Sequence, residues 1–470
     1  MRRSTLRVTA LTLAFLVALG AGYAVRAFAT RNSTFVYAGS DSYGYNKLAE
    51  ELIRHRRYAL GPAPAPLHWA RPPGYPLYVA AVKGLAPATM AGGPGWARIV
   101  AANVWLELLG TGLAVGFIVW RIVGPLPALL ACVLLMIAPF NAIATAAALT
   151  ETLATFLLTA TIALLVPPAL GSRRLGWMGA AGVAFAAGVL TRPDTLLVAP
   201  AFAVAAYGAS RGAGTSSLRA ALPRLAVAGL AFALTMSPWI IRNLVEFRAP
   251  HPLGGRIDRY SRPVEHYQGS WAFLRAISHD WVPMTQLTTC VYDLQCPLDL
   301  KQFSDAAGDL DRYELETLPS LIAMRKALGD AAQVSDGFQA LADRRRHLHP
   351  FRVEVELPAR RLYAMWIADH DELLPSHSPA YRWRHANRPL SVLLVLLTVL
   401  GALVLLLDTH RRWGALVLLL ATLGRTVLMA YTFYSMPRYL LESVPCAYAL
   451  IAGGLGLLVA NALRRARAST

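Results

Sequence analysis

The chain has 470 residues, of which 56% are hydrophobic and only 15% are charged, and its formal net charge is +18. This composition excludes an ordinary soluble domain, because repeated apolar runs of about 20 residues are typical of transmembrane helices. It also argues against a nucleic-acid partner, since many of the arginines lie in short loops between apolar runs, where arginine normally fixes the orientation of a membrane protein.

The first apolar run follows Arg2 and Arg3 and is longer than the core of a usual secretory signal peptide. Arg26 interrupts the region in which a signal peptidase would cut, so we expect an uncleaved membrane anchor. The apolar stretch 75–88 is short and contains Lys83, which favours a helix that lies along the membrane interface. The pattern predicts ten spans: 8–28, 98–120, 123–140, 145–167, 175–191, 194–209, 222–241, 388–407, 413–432 and 438–462.

The loops between these spans alternate in charge. If the N-terminus is inside, every cytoplasmic segment is basic, and the residues responsible include Arg7, Arg121, Arg173, Arg174, Arg211, Arg411, Arg412 and Arg464. Basic loops stay in the cytoplasm, so we expect a multi-pass protein of the cell membrane (inner or plasma membrane) with both termini cytoplasmic. Two large segments, 29–97 and 242–387, are then extracytoplasmic.

The predicted fold class is therefore an all-α polytopic membrane protein with about ten transmembrane helices. An N-terminal membrane module covers 1–241, an extracytoplasmic segment of about 145 residues covers 242–387, and a C-terminal membrane module covers 388–470. Cys290 and Cys296 lie in the extracytoplasmic segment and are a candidate disulfide, and the cysteine spacing fits no zinc motif.

Several polar residues gather at the predicted outer face of the membrane. Asp41, in "SDSYGY", follows the first span, and Glu151, in "ALTETLATF", lies near the outer end of the fourth. Basic, aromatic and amide residues share this depth: Tyr43, Tyr45, His68, Trp69, Arg71, Lys83, Arg192, Arg242, Asn243, Arg438 and Tyr439. Such an arginine can simply extend to the interface, and Asp41 can simply cap a helix. Several arginines beside two carboxylates suit instead an anionic lipid phosphate next to a general base.

The order of these motifs resembles a known family. "SDSYGY", "RPPGYPLY", "LTETL", "LTRPD", "PWIIRN" and "MPRYLLESVP" are similar to segments of the GT-C superfamily of integral membrane glycosyltransferases. The most similar branch contains the protein O-mannosyltransferases and the lipid A aminoarabinose transferases. The resemblance covers about two-thirds of the chain.

The resemblance implies a mechanism and residue roles. The donor is a sugar on a polyprenyl phosphate, and an acid in the first external loop binds the acceptor hydroxyl and acts as base while the sugar transfers with inversion. Asp41 occupies the position of that acid, and Glu151 matches a polar position at the second external loop. The candidates for the donor phosphate or lipid head group are Arg71, Lys83, Arg192, Arg242 and Arg438, and those for substrate contacts are Tyr43, Tyr45, His68, Trp69, Asn243 and Tyr439.

One departure from the family pattern affects the acceptor. Protein mannosyltransferases typically have Asp-Glu in the first loop, whereas Ser42 follows Asp41 here. This favours a lipid or glycan acceptor over a protein and leaves a catalytic divalent metal open. A transporter or flippase of lipid-linked sugars, and another ligase or polymerase of surface glycans, are the alternative functions. Transporters, however, place ionisable groups near the midplane and often have repeated halves.

Three further signals receive structural interpretations. Asp309 and Asp311 spell the D-x-D pattern of metal-dependent nucleotide-sugar transferases, but they lie in the predicted external segment, and a solvated helix is expected. His347 and His349 have no third metal ligand nearby in the sequence. Glu107 lies deep in the second span, and we expect it to pair with Arg425, at comparable depth in the ninth; a Glu107 that faces the substrate is the alternative.

Overall fold

The computed structural model describes residues 2–32, 39–61, 63–65, 67–68, 71–84, 94–212, 214, 218–248, 266, 268–278, 310–329, 331–367, 384–432 and 440–468. These residues are almost entirely helical. The β-pairing found among them is an isolated antiparallel bridge between Ala59 and Leu67. The expectation of an all-α polytopic membrane protein is confirmed.

Seven helices in the described part of the chain are long and apolar enough to cross a bilayer. They are Val8–Arg31, Trp96–Ile122, Glu151–Ala169, Arg219–Phe247, Arg388–Leu407, Arg412–Tyr431 and Val444–Ala468. The remaining three predicted spans, 123–140, 175–191 and 194–209, correspond to the shorter helices Pro125–Ile137, Leu175–Thr191 and Pro200–Gly212.

Two helix boundaries differ from the prediction, and a proline sets the first of them. Ala138 adopts an extended conformation before Pro139, as expected for a residue that precedes proline, and this ends the helix that starts at Pro125. A short helix, Pro139–Thr145, follows. The fourth predicted span therefore begins at Glu151 rather than at residue 145.

The chain forms two compact units. The first contains residues 1–253, 370–425 and 440–470, and the second contains 254–369 and 426–439. The first unit has an apolar core to which Leu158, Phe185, Ala205, Leu418 and Leu450 contribute.

A buried ion pair lies inside the first unit. Trp96–Ile122 contains a π turn, Leu106–Thr111, which includes Glu107. Nη2 of Arg26 lies 3.1 Å from Oε2 of Glu107, and Nη1 of Arg26 donates a hydrogen bond to the Met136 carbonyl over 2.6 Å. The predicted pairing of Glu107 with Arg425 is wrong. The first helix supplies the partner of Glu107, and depth in the membrane alone does not reveal which helix is the neighbour.

The second unit has its own core, formed by helices Gln268–Ile277, Arg312–Leu328 and Ala332–Leu348 and by Val353 of the π turn Arg352–Glu356. Helix Leu357–Ile367 follows that turn. Asp311 accepts a hydrogen bond from the Glu314 amide over 2.9 Å in a capping box, and Arg344 lies 2.5 Å from its other carboxylate oxygen. These contacts give Asp311 a structural role, while Asp309 lies outside the described residues. The buried guanidinium of Arg361 donates to the carbonyls of Ser278, Arg275 and Ala430.

Candidate functional site

Asp41 stands in the first turn of helix Gly39–His55, where a carboxylate is favoured by the helix dipole. Its side chain is 49% exposed, whereas its partner Arg71 is 10% exposed. Nη2 of Arg71 donates to Oδ1 of Asp41 over 3.0 Å, and Nη1 of Arg71 donates to the Asp41 carbonyl over 3.4 Å. A fixed cation thus holds a carboxylate that remains accessible.

Tyr45 and Gly44 shape the surface on which the Arg71 guanidinium lies. Cζ of Arg71 is 4.7 Å from the centre of the Tyr45 ring, a cation–π distance. A Cβ on Gly44 would lie only 3.1 Å from Cζ of Arg71, so glycine lets the guanidinium approach the helix. Burial raises the pKa of Tyr45 to about 12, which keeps its hydroxyl protonated.

The chain on either side of Arg71 is fixed by Tyr58 and His68. The single Tyr58 hydroxyl proton is shared between two carbonyl oxygens, that of Arg71 at 2.9 Å and that of Pro72 at 3.1 Å. Nε2 of His68 accepts a hydrogen bond from the Arg71 amide over 3.2 Å. Burial, together with the positive charges of Arg71 and Arg242, lowers the pKa of His68 to about 4, so the imidazole is neutral at physiological pH.

A second group of charges lies at the ends of membrane helices and, in the case of Arg425, within the candidate span Arg412–Tyr431. We call Glu151, Arg192, Asp194, Arg425 and Glu442 the charge cluster. Arg192 is 3.5 Å from Glu151, 3.2 Å from Asp194 and 3.2 Å from Glu442. Arg425, which directly follows the π turn Leu420–Gly424, is 2.6 Å from Asp194 and also pairs with Glu442. Guanidinium groups thus offset the charge of three buried or nearly buried carboxylates.

Tyr45 connects the two groups. After the larger effect of burial, the charges of Arg71, Asp41, Glu151 and Arg192 all influence the pKa of the Tyr45 hydroxyl. Residues from four separate segments of the sequence therefore meet in the first unit, as the order of the motifs indicated.

The comparisons with known proteins agree on the fold. No protein-family model and no curated protein sequence matches the chain. Among solved structures, the oligosaccharyltransferase AglB of Archaeoglobus fulgidus, in complex with an inhibitory peptide and a dolichol-phosphate, is 13% identical and superposes with a TM-score of 0.51. That match covers 94% of this chain and 50% of AglB. The apo form of the Archaeoglobus enzyme gives 15% identity and a TM-score of 0.50, over 94% of this chain and 50% of that one. The chain thus shares its fold with the oligosaccharyltransferase AglB, in agreement with the fold that the resemblance to the GT-C superfamily predicted.

The GT-C fold predicted from the motifs is thus confirmed, and the chain spans about half the length of AglB. ArnT of Cupriavidus metallidurans, bound to undecaprenyl phosphate, is also similar, with 15% identity and a TM-score of 0.39 over 97% of this chain and 77% of ArnT.

Arg242 lies next to Tyr58, a residue of the predicted first external loop. It is near the end of helix Leu222–Phe247, and its Cζ is 4.8 Å from the Trp239 ring and 5.4 Å from the Tyr58 ring. Its Nη1 donates to Oδ1 of Asn243 over 2.8 Å. Its Nη2 is buried and has no hydrogen-bond partner among the described residues.

Lys83 and Tyr43 have different surroundings from those of Arg242. Nζ of Lys83 lies 3.3 Å from Glu50 and also contacts Asn46, so its charge is offset inside the pair of helices Gly39–His55 and Gly74–Gly84. Tyr43 is exposed, with Nζ of Lys47 5.9 Å from its ring centre. Their predicted contacts with phosphate and substrate stay predictions.

Five predicted residues lie outside the described part of the chain: Trp69, Cys290, Cys296, Arg438 and Tyr439. Sequence reasoning missed Glu442 and Glu50. Glu442 stands in the quoted segment "MPRYLLESVP" beside an apolar span, and an acid at that position is itself a signal. Among the described residues, no group of three or more His, Cys, Asp or Glu side chains is arranged to hold a metal ion.

Proposed function

We propose that this GT-C chain is a membrane glycosyltransferase that moves a sugar from a polyprenyl-phosphate donor to a hydroxyl acceptor, with Asp41 as general base. The observation that carries the proposal is the half-exposed Asp41 carboxylate held by the buried Arg71 guanidinium. The GT-C fold supports the reaction class. The dolichol-phosphate in the AglB structure supports a lipid-phosphate donor.

Asp41 is suited to receive the acceptor proton. Arg71 engages Oδ1 and fixes the carboxylate, so Oδ2 is the oxygen offered to the acceptor hydroxyl. As the hydroxyl oxygen bonds to the anomeric carbon, the bond from that carbon to the phosphate oxygen breaks. The hydroxyl proton passes to Asp41, and polyprenyl phosphate leaves with the bonding electrons. Attack opposite the leaving group inverts the anomeric centre.

Arg242 is the best-suited ligand for the donor phosphate among the described residues. Arg192 contacts three carboxylates and Lys83 contacts one, so their charges are already offset. Arg242 packs on aromatic rings and keeps a buried Nη2 without a hydrogen-bond partner in the described chain. A planar guanidinium in such surroundings suits a phosphate that gains charge as it leaves. We therefore assign Arg242 to the phosphate and Arg192 to the support of Glu151.

The reaction is proposed to occur on the extracytoplasmic face of the cell membrane. Basic residues border the cytoplasmic ends of the predicted spans. Asp41 follows the first span, so it falls on the opposite side. The acceptor is a lipid, a glycan or a protein hydroxyl, and Ser42 after Asp41 favours the first two.

Lipid analysis of a deletion strain tests this function. Loss of the chain should cause one polyprenyl-phosphate sugar to accumulate, and the wild-type chain should reverse the accumulation. Asp41→Asn should not reverse it, whereas the control Asp336→Asn, which changes an exposed acid of the second unit, should. An unchanged lipid profile in the deletion strain would contradict the proposal.

A further inference from the structure

The second unit presents an apolar surface beside buried core residues. Within residues 348–355, Leu348, Phe351 and Val355 are exposed, with Phe351 at 71% and Val355 at 49%. Val353, in the π turn Arg352–Glu356, and Leu357, at the start of helix Leu357–Ile367, are buried. We call Leu348, Phe351 and Val355 the apolar row. Phe351 and Val355 are four residues apart in one helical stretch and therefore share a face, and Leu348 ends the preceding helix. Large apolar side chains exposed on one face mark an interaction surface.

Hydrogen bonds connect the segment with the apolar row to the end of a membrane helix. Tyr431, the last residue of the candidate span Arg412–Tyr431, donates from its hydroxyl to the Glu354 carbonyl over 3.1 Å. Arg361 donates to the carbonyl of Ala430, one residue earlier, over 3.0 Å. Tyr431 itself is partly exposed. A tyrosine at the end of a span is typical of the layer of lipid head groups, so the neighbouring Val355 falls near that layer.

The charges around the apolar row also suit a lipid surface. Arg346, Arg352 and Arg360 lie in or beside the segment, together with His347 and His349. Glu354 pairs with Arg346 and Glu356 pairs with Arg360, so basic residues outnumber acidic ones there. Nε of Arg346 lies 2.7 Å from Oε1 of Glu354, which keeps the guanidinium next to the segment 348–355. An apolar face with a basic border is the pattern of helices that lie in the membrane interface.

We propose that the apolar row inserts into the boundary between head groups and acyl chains of the same membrane that the chain crosses. The occupant is lipid rather than a second protein, because the segment is bonded to the last turn of a membrane-crossing helix. This surface is separate from the proposed catalytic residues, so the inference stands whether or not the chain is a glycosyltransferase.

Spin labels on the full-length protein test this proposal. Cysteine replaces Leu348, Phe351 or Val355, one at a time, in a background with Cys290→Ser and Cys296→Ser. The control is Asp336→Cys, an exposed site on the same helix as Leu348 and about 18 Å from it along the axis. The proteins are placed in nanodiscs of phosphatidylcholine and phosphatidylglycerol. The collision rates of each label with oxygen, which enters lipid, and with a water-soluble nickel chelate are then measured.

Labels on the apolar row should collide with oxygen several-fold more often, relative to the nickel chelate, than the label at position 336. Equal ratios at the row and the control would place the row in water and overturn the proposal. Low collision rates with both reagents at the row would indicate a protein partner, such as a second copy of this chain, and would overturn it as well. Because three positions are labelled separately, the failure of one variant to fold still leaves two labelled proteins that can be measured.

Discussion

Arg71 and Asp41 form an ion pair in which the cation is nearly buried and the carboxylate is half exposed, with 3.0 Å between Nη2 and Oδ1. A purely structural pair at a surface contributes little to stability and leaves both side chains able to move. Here Tyr45, Tyr58 and His68 fix Arg71 through its ring contact, its carbonyl and its amide. The arrangement orients the Asp41 carboxylate, which is what a general base requires.

Gly44→Ala tests whether the position of Arg71 matters. The added methyl would lie 3.1 Å from Cζ of Arg71 and should displace the guanidinium and the carboxylate it holds. Because alanine favours a helix over glycine by about 1 kcal/mol, the thermal stability should change little. Sugar transfer should fall, but by less than the roughly 100-fold that a misplacement of about 1 Å costs, because the contact requires a shift of only a few tenths of an ångström.

Gly229→Ala is the matched control for Gly44→Ala, because a Cβ at Gly229 meets no other atom within 4 Å. Transfer by the control should equal that of the wild type. Full activity of Gly44→Ala would show that the guanidinium need not lie against the helix.

The Arg26–Glu107 pair predicts the outcome of a double replacement. Arg26→Met should lower the free energy of unfolding by about 3–5 kcal/mol, because it leaves a buried carboxylate unpaired. Adding Glu107→Met should restore part of that loss. Arg425→Met should not be rescued by Glu107→Met, since Arg425 contacts Asp194 and Glu442. Unfolding in detergent, followed by thermal shift, measures all four variants, and rescue of Arg425→Met would disprove the observed pairing.

His68 predicts a pH dependence of stability. Its pKa is about 4 in the folded chain and near 6.5 in an unfolded one, so the unfolded state takes up the proton first as the pH falls. The stabilisation is complete above about pH 6.5 and is lost as the pH falls towards 4, by at most about 3 kcal/mol. Protonation would also remove the acceptor of the Arg71 amide.

His68→Gln should therefore reduce the loss of melting temperature between pH 7 and pH 4.5, because glutamine does not titrate. His55→Gln, at an exposed position, is the control and should behave as the wild type. An identical pH profile for His68→Gln and the wild type would show that His68 does not take up the proton.

Arg242 predicts a change in the use of the donor. Arg242→Gln should raise KM for the polyprenyl-phosphate sugar, and Arg242→Lys should restore only part of the affinity, because lysine lacks the planar guanidinium. Arg121→Gln, an exposed arginine at the end of Trp96–Ile122, should leave KM unchanged. Steady-state kinetics at varied donor concentration measure KM for each of these variants. An unaltered KM in Arg242→Gln would exclude the assigned contact.

The sequence indicated which polar residues gather, because the alternation of charge in the loops predicts a side of the membrane for each of them. Asp41, Arg71 and Tyr45 therefore lie together as expected, and Glu151 lies with Arg192. The lengths of several helices were also predictable, but the early end at Ile137 follows from Pro139, a local effect that hydropathy does not report.

The partners of buried charges were not predictable in the same way. Hydropathy gives the depth of Glu107 and Arg425 but not which helices are neighbours, and the first helix faces Glu107. For the same reason the role of Glu442 was not predicted, since its partners Arg192 and Arg425 lie in other segments of the chain. Which helices pack side by side depends on how the shapes of their facing surfaces fit together. This fit cannot be worked out from a single sequence.

Single-turnover transfer by purified Asp41→Asn, compared with the wild type in the same lipid, tests the central claim most directly. Asparagine keeps the shape of the side chain but takes up no proton, so the variant should bind the polyprenyl-phosphate donor as the wild type does while transfer slows by about 100- to 10,000-fold. Transfer by Asp41→Asn at the wild-type rate, with donor binding intact, would contradict the role of Asp41 as the base.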